Sequence, residues 1–404
     1  MSRSLFFVLS DTSDTRMMTA LSDTELILIV VGVFYLSECI LWLPEMAVAF
    51  SSTFGKLRIA NSPVFLRRAN SQAALLSPFP WSHCVVAEDS PLAISPDGIS
   101  ILTGPQAGKF ISLNLLKSIV ADKNFLRLDQ ATVRFATVSA ARHFSAFLQT
   151  IQDTPQAERE SAIKANAQSR HSLPDLAARL ETVERSTSSQ RAISTFMFLW
   201  IFGYGPFLYY TVEPQPGLLV RYFAPLGIVW LLGIVLFALA RFKLFSLPYS
   251  EHAGQIATMF FSPAAVMRAA QSITREAFSD FDPSTVAVSC LHPNQLEEFL
   301  SKRLRNLKYP FVADFPDASE EFRETCLWHS QLQLSLLQEM LAAENIDVDQ
   351  LLKPPEVDYG ALSWCLRCLA QYTHAEGVCS NCPDLNLQVF ENSEPDSTST
   401  SNID

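Results

Sequence analysis

Phe223-Ala-Pro-Leu-Gly-Ile-Val-Trp-Leu-Leu-Gly-Ile-Val-Leu-Phe-Ala-Leu-Ala240 runs eighteen residues without a charge. As a helix rising about 1.5 Å per residue it spans about 27 Å, close to the roughly 30 Å hydrocarbon core of a bilayer. Two other blocks share its character, Leu26 to Leu43 and Ile193 to Val212. Together they predict transmembrane helices over 26-43, 192-212 and 222-240, and an α+β multi-pass membrane protein with the lipid bilayer as its first partner. The composition agrees, because a hydrophobic fraction of 49% with 29 Phe exceeds what a soluble chain needs for its core.

The flanks set the expected topology. Arg179, Arg185 and Arg191 precede the second span and Arg241 and Lys243 follow the third, whereas the loop from Glu213 to Arg221 is short and nearly neutral. Basic residues mark the cytosolic side, so both large loops and the C-terminus are expected in the cytosol, with residues 1-25 outside. Met17 and Met18 are alternative starts. A cleaved signal peptide is a rival reading of the N-terminus, since Ala47-Val48-Ala49 resembles a cleavage site, but Asp23 and Glu25 stand where such a peptide is positive.

A formal charge of −11 argues against a general nucleic-acid partner, which needs a basic face to neutralise phosphates. Two local basic groups, Lys56 to Arg68 and Lys302 to Lys308, face either an anionic leaflet or plain solvent. Glu38 lies inside the first span. An ionisable group at that depth is a functional-site candidate, although about five residues from the span's end it can also reach the interface or bond a neighbouring helix. Gly203, Gly205 and Pro206 predict a kink in the second span.

The soluble segments divide by pattern. Residues 51-152 read as a small cytosolic α+β domain, with a Pro96-Asp-Gly98 turn, strand-like runs at Phe125 to Leu128 and Thr132 to Phe135, and a helical stripe of Phe144, Phe147, Leu148 and Ile151. Short strands closed by one amphipathic helix over 91-152 resemble a bacterial pleckstrin-homology-like domain, which implies docking of a lipid or partner rather than chemistry. Residues 153-191 read as a solvated helical connector and 250-353 as a cytosolic helical module, with helix starts at Pro263, at Asn294 and at Asp317. Residues 391-404, acidic and rich in Ser and Thr, are expected to be disordered.

The strongest chemical signal is Cys365-Leu-Arg-Cys368 followed, ten residues on, by Cys379-Ser-Asn-Cys382. Two residues between thiolates let both sulfurs of a tight turn meet one ion at about 2.3 Å, and two such turns complete a tetrahedral shell. The module 359-390 resembles the short zinc-ribbon family, which implies a structural Zn2+ on Cys365, Cys368, Cys379 and Cys382. The sequence departs from that family at Leu369 and Pro383, where glycine commonly follows each pair. Four thiolates also suit iron, as in rubredoxin. A reducing cytosol favours metal over disulfide at this motif.

No H-E-x-x-H, G-x-S-x-G or dinucleotide-binding turn occurs, and a closed four-sulfur shell leaves no position for substrate. The expectation is therefore a membrane-anchored scaffold or adaptor that binds a protein partner, with no catalytic role assigned to the metal. A membrane redox protein with an iron knuckle and a small ion-coupled transporter using Glu38 are the other two readings.

Overall fold

The structure, a computed structural model, describes residues 22–36, 64–66, 84–87, 90–129, 131–211, 217–245, 249–291, 293–310, 315 and 317–390. Glu38, the second half of the first expected span and the 391-404 tail lie outside these residues. A helix over 23–36 (α1) opens the described chain. A hairpin follows, β1 (Val64–Leu66) on β2 (Cys84–Ala87). Two three-stranded meanders come next: β3 (Leu92–Ile94), β4 (Gly98–Ile101) and β5 (Phe110–Ser112), then β6 (Ile119–Asp122), β7 (Phe125–Leu128) and β8 (Ala131–Arg134). Helices α2 (Val138–Asp153), α3 (Gln156–Arg170) and α4 (Leu173–Leu199) lead through a π-helical turn, Trp200–Tyr204, into α5 (Gly205–Thr211). The remaining helices are α6 (Leu218–Phe245), α7 (Tyr249–Phe261), α8 (Pro263–Met267), α9 (Ala269–Phe278), α10 (Pro283–Cys290), α11 (Pro293–Lys308), α12 (Glu320–Ala343) and α13 (Val348–Leu351). Short strands β9 (Ser363–Trp364), β10 (Gln371–Tyr372), β11 (Val378–Cys379), β12 (Cys382–Asn386) and β13 (Gln388–Val389) close the chain.

These elements form two compact units, one built on Ser186–Ala270 together with α1, the other on Trp81–Arg185 and the chain from Gln271. Among the described residues, two helices are long and apolar enough to cross a membrane: the continuous run Leu173–Thr211, of 39 residues, and α6, of 28. These two helices coincide with the second and third expected spans by length and composition, and the first expected span lies only partly within the described residues.

In the first unit, Ile228, Leu231, Leu232, Val235 and Leu239 of α6 are exposed, as a lipid-facing surface requires. The kink expected at Gly203 to Pro206 takes the form of the π-helical turn. The Gly205 N–H bonds the Trp200 carbonyl five residues back, which re-registers the helix where Pro206 has no N–H to give. Gly205 has no room for a side chain, since a Cβ there would lie 2.9 Å from the Tyr222 hydroxyl. Trp200 uses the closeness to donate from Nε1 to the Tyr222 carbonyl at 3.1 Å.

The second unit has its core between the two meanders and α2. Leu92, Ile99 and Ile101 meet Leu126, Leu128 and Val133, covered by Phe144, Leu148 and Ile151. The Thr137 hydroxyl caps α2 by accepting from the Ala140 N–H. The expected Pro96-Asp-Gly98 turn joins β3 to β4, closed by Ser95 N–H to the Gly98 carbonyl. Helix α12 brings Leu332 and Leu336 into this core. Its Leu337, Met340 and Leu341 pack against Leu300 and Leu304 of α11 and Leu351 of α13.

The connector segment is less solvated than its charges suggest. Arg159 of α3 is buried and donates to the Thr154 and Pro96 carbonyls and to Asn114 Oδ1. Arg170, at the end of α3, donates to the Asp280 carbonyl and lies over the Phe144 ring.

Candidate metal centre

The four cysteines converge from two turns. In the first, the Cys365 N–H donates to the Ala370 carbonyl and the Leu369 N–H returns to the Cys365 carbonyl at 3.0 Å. Leu369 adopts φ 61°, the left-handed conformation that the family's glycine would take at least cost. A β-carbon there costs about 1–2 kcal/mol. The Leu369 side chain offsets part of this by packing with Ala361, Trp364 and Phe390. In the second turn, Cys379 and Cys382 face each other across β11 and β12, and Gly377 at φ 133° starts the approach.

The ligand atoms of Cys365, Cys368, Cys379 and Cys382 all lie within 4.8 Å of one another. Cys368 Sγ is 3.5 Å from Cys379 Sγ. A tetrahedron with metal–sulfur bonds of about 2.3 Å has edges of about 3.8 Å, so to hold one ion the Cys368–Cys379 pair would open slightly and the widest pairs close by no more than about 1 Å. Cys365, Cys379 and Cys382 are buried and Cys368 is exposed. The Tyr372 hydroxyl lies 3.1 Å from Cys379 Sγ and bonds the Ser380 N–H, fixing the second turn from outside the sulfur shell.

The thiols of this cluster repel multiple ionisation. Hydrogen bonding from Cys368, opposed by burial, pulls Cys365 down to about 5. Cys368 is pushed strongly up by its bond to that same sulfur and by burial, and Cys382 is pushed up to about 12 by burial and the neighbouring sulfurs. One thiolate forms readily and its neighbours resist. A divalent cation removes that conflict, because it stabilises every sulfur in the deprotonated state. The donor set therefore fits Zn2+, and the same thiolates would hold iron.

Two buried arginines tie the cluster to α11. Arg367, between Cys365 and Cys368, donates to the Tyr309 and Pro310 carbonyls at 2.6 and 3.0 Å. The same guanidinium forms a fork with the Asp384 carboxylate, two residues beyond Cys382. Arg305 of α11 reaches the other way, donating to the Leu366, Leu351 and Lys353 carbonyls and lying over the Trp364 ring. Of the basic group Lys302 to Lys308, only Lys302 and Lys308 are exposed. Arg303 bridges to buried Asp282 at 3.2 Å.

His374 packs edge-on against Tyr372 and is not part of the sulfur group. His329 lies in α12, where its Nδ1 faces the Ile94 N–H at 3.4 Å. Burial, reinforced by Arg170, lowers it to about 4, so the ring is neutral and serves as a structural acceptor. Cys326 is a buried thiol pushed up to about 12 by burial, as expected of a packing residue. Glu38 falls outside the described residues. Sequence reading missed Arg305, Arg367 and Asp384, although an acidic residue two positions after the last cysteine was the available signal. No family model matches the chain, and neither a curated protein nor a solved structure matches it.

Proposed function

We propose that this chain is a membrane-anchored scaffold whose soluble unit is completed by a structural Zn2+ on Cys365, Cys368, Cys379 and Cys382. The observation that carries the proposal is the use of both residues between Cys365 and Cys368 as docking points: Leu366 accepts from Arg305 and Arg367 grips the end of α11. A metal that fixes this turn fixes the attachment of residues 354–390 to the helices. It supplies folding energy and leaves no open coordination position for a reaction. In this reading the soluble unit lies in the cytosol and presents its surface to a protein partner. The run Leu173–Thr211 and α6 hold it at the bilayer.

The iron reading has one specific support, the suitability of four thiolates for either metal. Absorption spectra of the purified full chain separate the two. The scaffold reading expects a colourless protein, and cross-linking in native membranes expects a recurrent protein partner attached to the soluble unit and lost on Cys365→Ser substitution. A visible band that bleaches on reduction would replace the scaffold reading with electron transfer.

A further inference from the structure

We propose that residues 249–267 form a shallow re-entrant helical hairpin, entering the bilayer from the side of Arg241 and Lys243 and turning back before its midplane, with Phe260 and Phe261 against acyl chains. This rests on the reading of α6 as a membrane span, and it withdraws these residues from the cytosolic module that sequence pattern suggests.

Depth is the first argument. Trp230 stands nine positions after Arg221 and eleven before Arg241, the charges that bracket the span. At about 1.5 Å per residue these distances are about 14 and 16 Å. A Cβ on Gly233 would lie 3.2 Å from Ile193 Cγ2, level with the start of the 192-212 span, so Trp230, three residues further in, sits about 5 Å inside that edge of the core. Trp230 Nε1 donates to the Met259 carbonyl at 2.8 Å, so the end of α7 is at the same depth. Continuing toward Arg241, a Cβ on Gly233 would lie 2.4 Å from Val266 Cγ1, so α8 lies directly on α6 within the span.

Backbone chemistry is the second argument. Lipid offers no hydrogen-bond donors, so a helix break at depth must be satisfied by the protein. Pro263 has no N–H and leaves the Met259 carbonyl, four residues back, without its helical donor. Trp230 fills that role. At the other end of α8 the buried Gln190 side chain donates from Nε2 to the Val266 carbonyl at 3.3 Å. The Ser262 N–H bonds the Thr258 carbonyl at 2.8 Å, and the Ala265 N–H bonds the Ser262 carbonyl at 2.9 Å.

Composition is the third. Residues 253–267 carry no charge and are bounded by His252 and Arg268. The rising arm, 253–261, covers about 13 Å as helix, too short to cross a core of roughly 30 Å. At its tip Phe261 is 89% exposed and Phe260 49% exposed. These bare phenylalanines follow directly on Met259, which Trp230 holds, and Ile228, Leu231 and Leu232 around Trp230 in α6 are exposed as well, apolar side chains whose natural cover is acyl chain.

The experiment is thiol accessibility of the full chain in membranes, with a water-soluble maleimide and the parent chain as background. Three variants are compared: Phe261→Cys, Leu232→Cys in α6, and Glu344→Cys on the exposed end of α12. The proposal predicts that Phe261→Cys and Leu232→Cys both label about tenfold slower than Glu344→Cys or worse, since a thiol in hydrocarbon does not ionise. Phe261 has too little protein cover for burial in protein to explain its protection. Rapid labelling of Phe261→Cys with Leu232→Cys protected overturns the hairpin and leaves the span intact. Rapid labelling of both overturns the span reading and the hairpin with it. Phe260→Cys repeats the measurement if the Phe261 variant does not accumulate.

Discussion

Leu369 and Arg367 show how single residues settle the metal centre. Spacing alone identifies the four sulfurs, because two C-x-x-C pairs impose the geometry locally. Spacing cannot reveal that Leu369 accepts the left-handed turn in place of glycine, since the compensation comes from Trp364 and Phe390, which lie elsewhere in the module. Nor can it reveal Arg367, because an arginine inside a knuckle looks solvated until α11 is folded beside it. Arg367→Ala is expected to lower the stability of the soluble unit by about 3 kcal/mol, as removal of one partner from a buried ion pair does. Denaturant unfolding in the presence of zinc measures it, and an unchanged midpoint would remove Arg367 from the clamp. Acid provides a second residue-scale expectation. His329, depressed to about 4, and His143, also depressed chiefly by burial, bind protons more weakly folded than unfolded. Their contribution is complete above the unfolded value near 6.5 and declines as pH falls toward about 4. Asp282 adds to the decline at still lower pH, because Arg303, His171 and Arg170 overcome its burial and hold its carboxylate well below the usual range. Thermal unfolding followed from pH 7 to about pH 4.5 should show a falling midpoint, and a flat profile would contradict the buried neutral imidazoles.

At the scale of elements, continuous apolar runs were the most legible feature. The expected span 222-240 lies inside α6, and 192-212 overlaps the run Leu173–Thr211 up to that run's last residue. Pro263 does start a helix, and the strands flanking Pro96-Asp-Gly98 pair as the turn requires. The interruptions were less visible. The helix that starts at Pro263 ends at Met267, with α9 following from Ala269, and the long helix begins from Ser319, whose hydroxyl accepts from the Phe322 N–H, rather than from Asp317. Both shifts depend on which polar group finds a partner in three dimensions. Two substitutions probe the packing of these elements. Trp230→Phe keeps the ring and removes the donor to Met259, which is expected to cost about 1–3 kcal/mol by stranding a buried carbonyl. Gly98→Ala forces a methyl against the Phe110 ring and the Ile111 carbonyl, at 2.3 and 2.7 Å in the unrelaxed strands, and should cost about 1–3 kcal/mol through separation of β4 from β5. Melting of the detergent-solubilised chain reports both. A Trp230→Phe variant as stable as the parent would argue that the Met259 carbonyl has another donor.

At the scale of the molecule, the sequence falls into successive blocks, whereas the soluble core joins distant ones. Leu332 and Leu336 complete a core that begins at Leu92, and Arg305 and Arg367 fasten the last module, 359-390, to a helix that ends at Lys308, about fifty residues before it. Such joins are set by long-range complementarity, which no local period records. On the proposed reading a bound metal would be a determinant of the whole second unit, because the turn it would fix carries the docking residues Leu366 and Arg367. The most direct test is therefore metal content of the purified full chain, compared with a Cys365→Ser, Cys379→Ser double variant. One zinc per chain, absent from the variant and accompanied by a lower melting temperature of the soluble unit, is the predicted result. Equal metal content in the two proteins, or a wild-type chain that binds none and melts no differently, would contradict it.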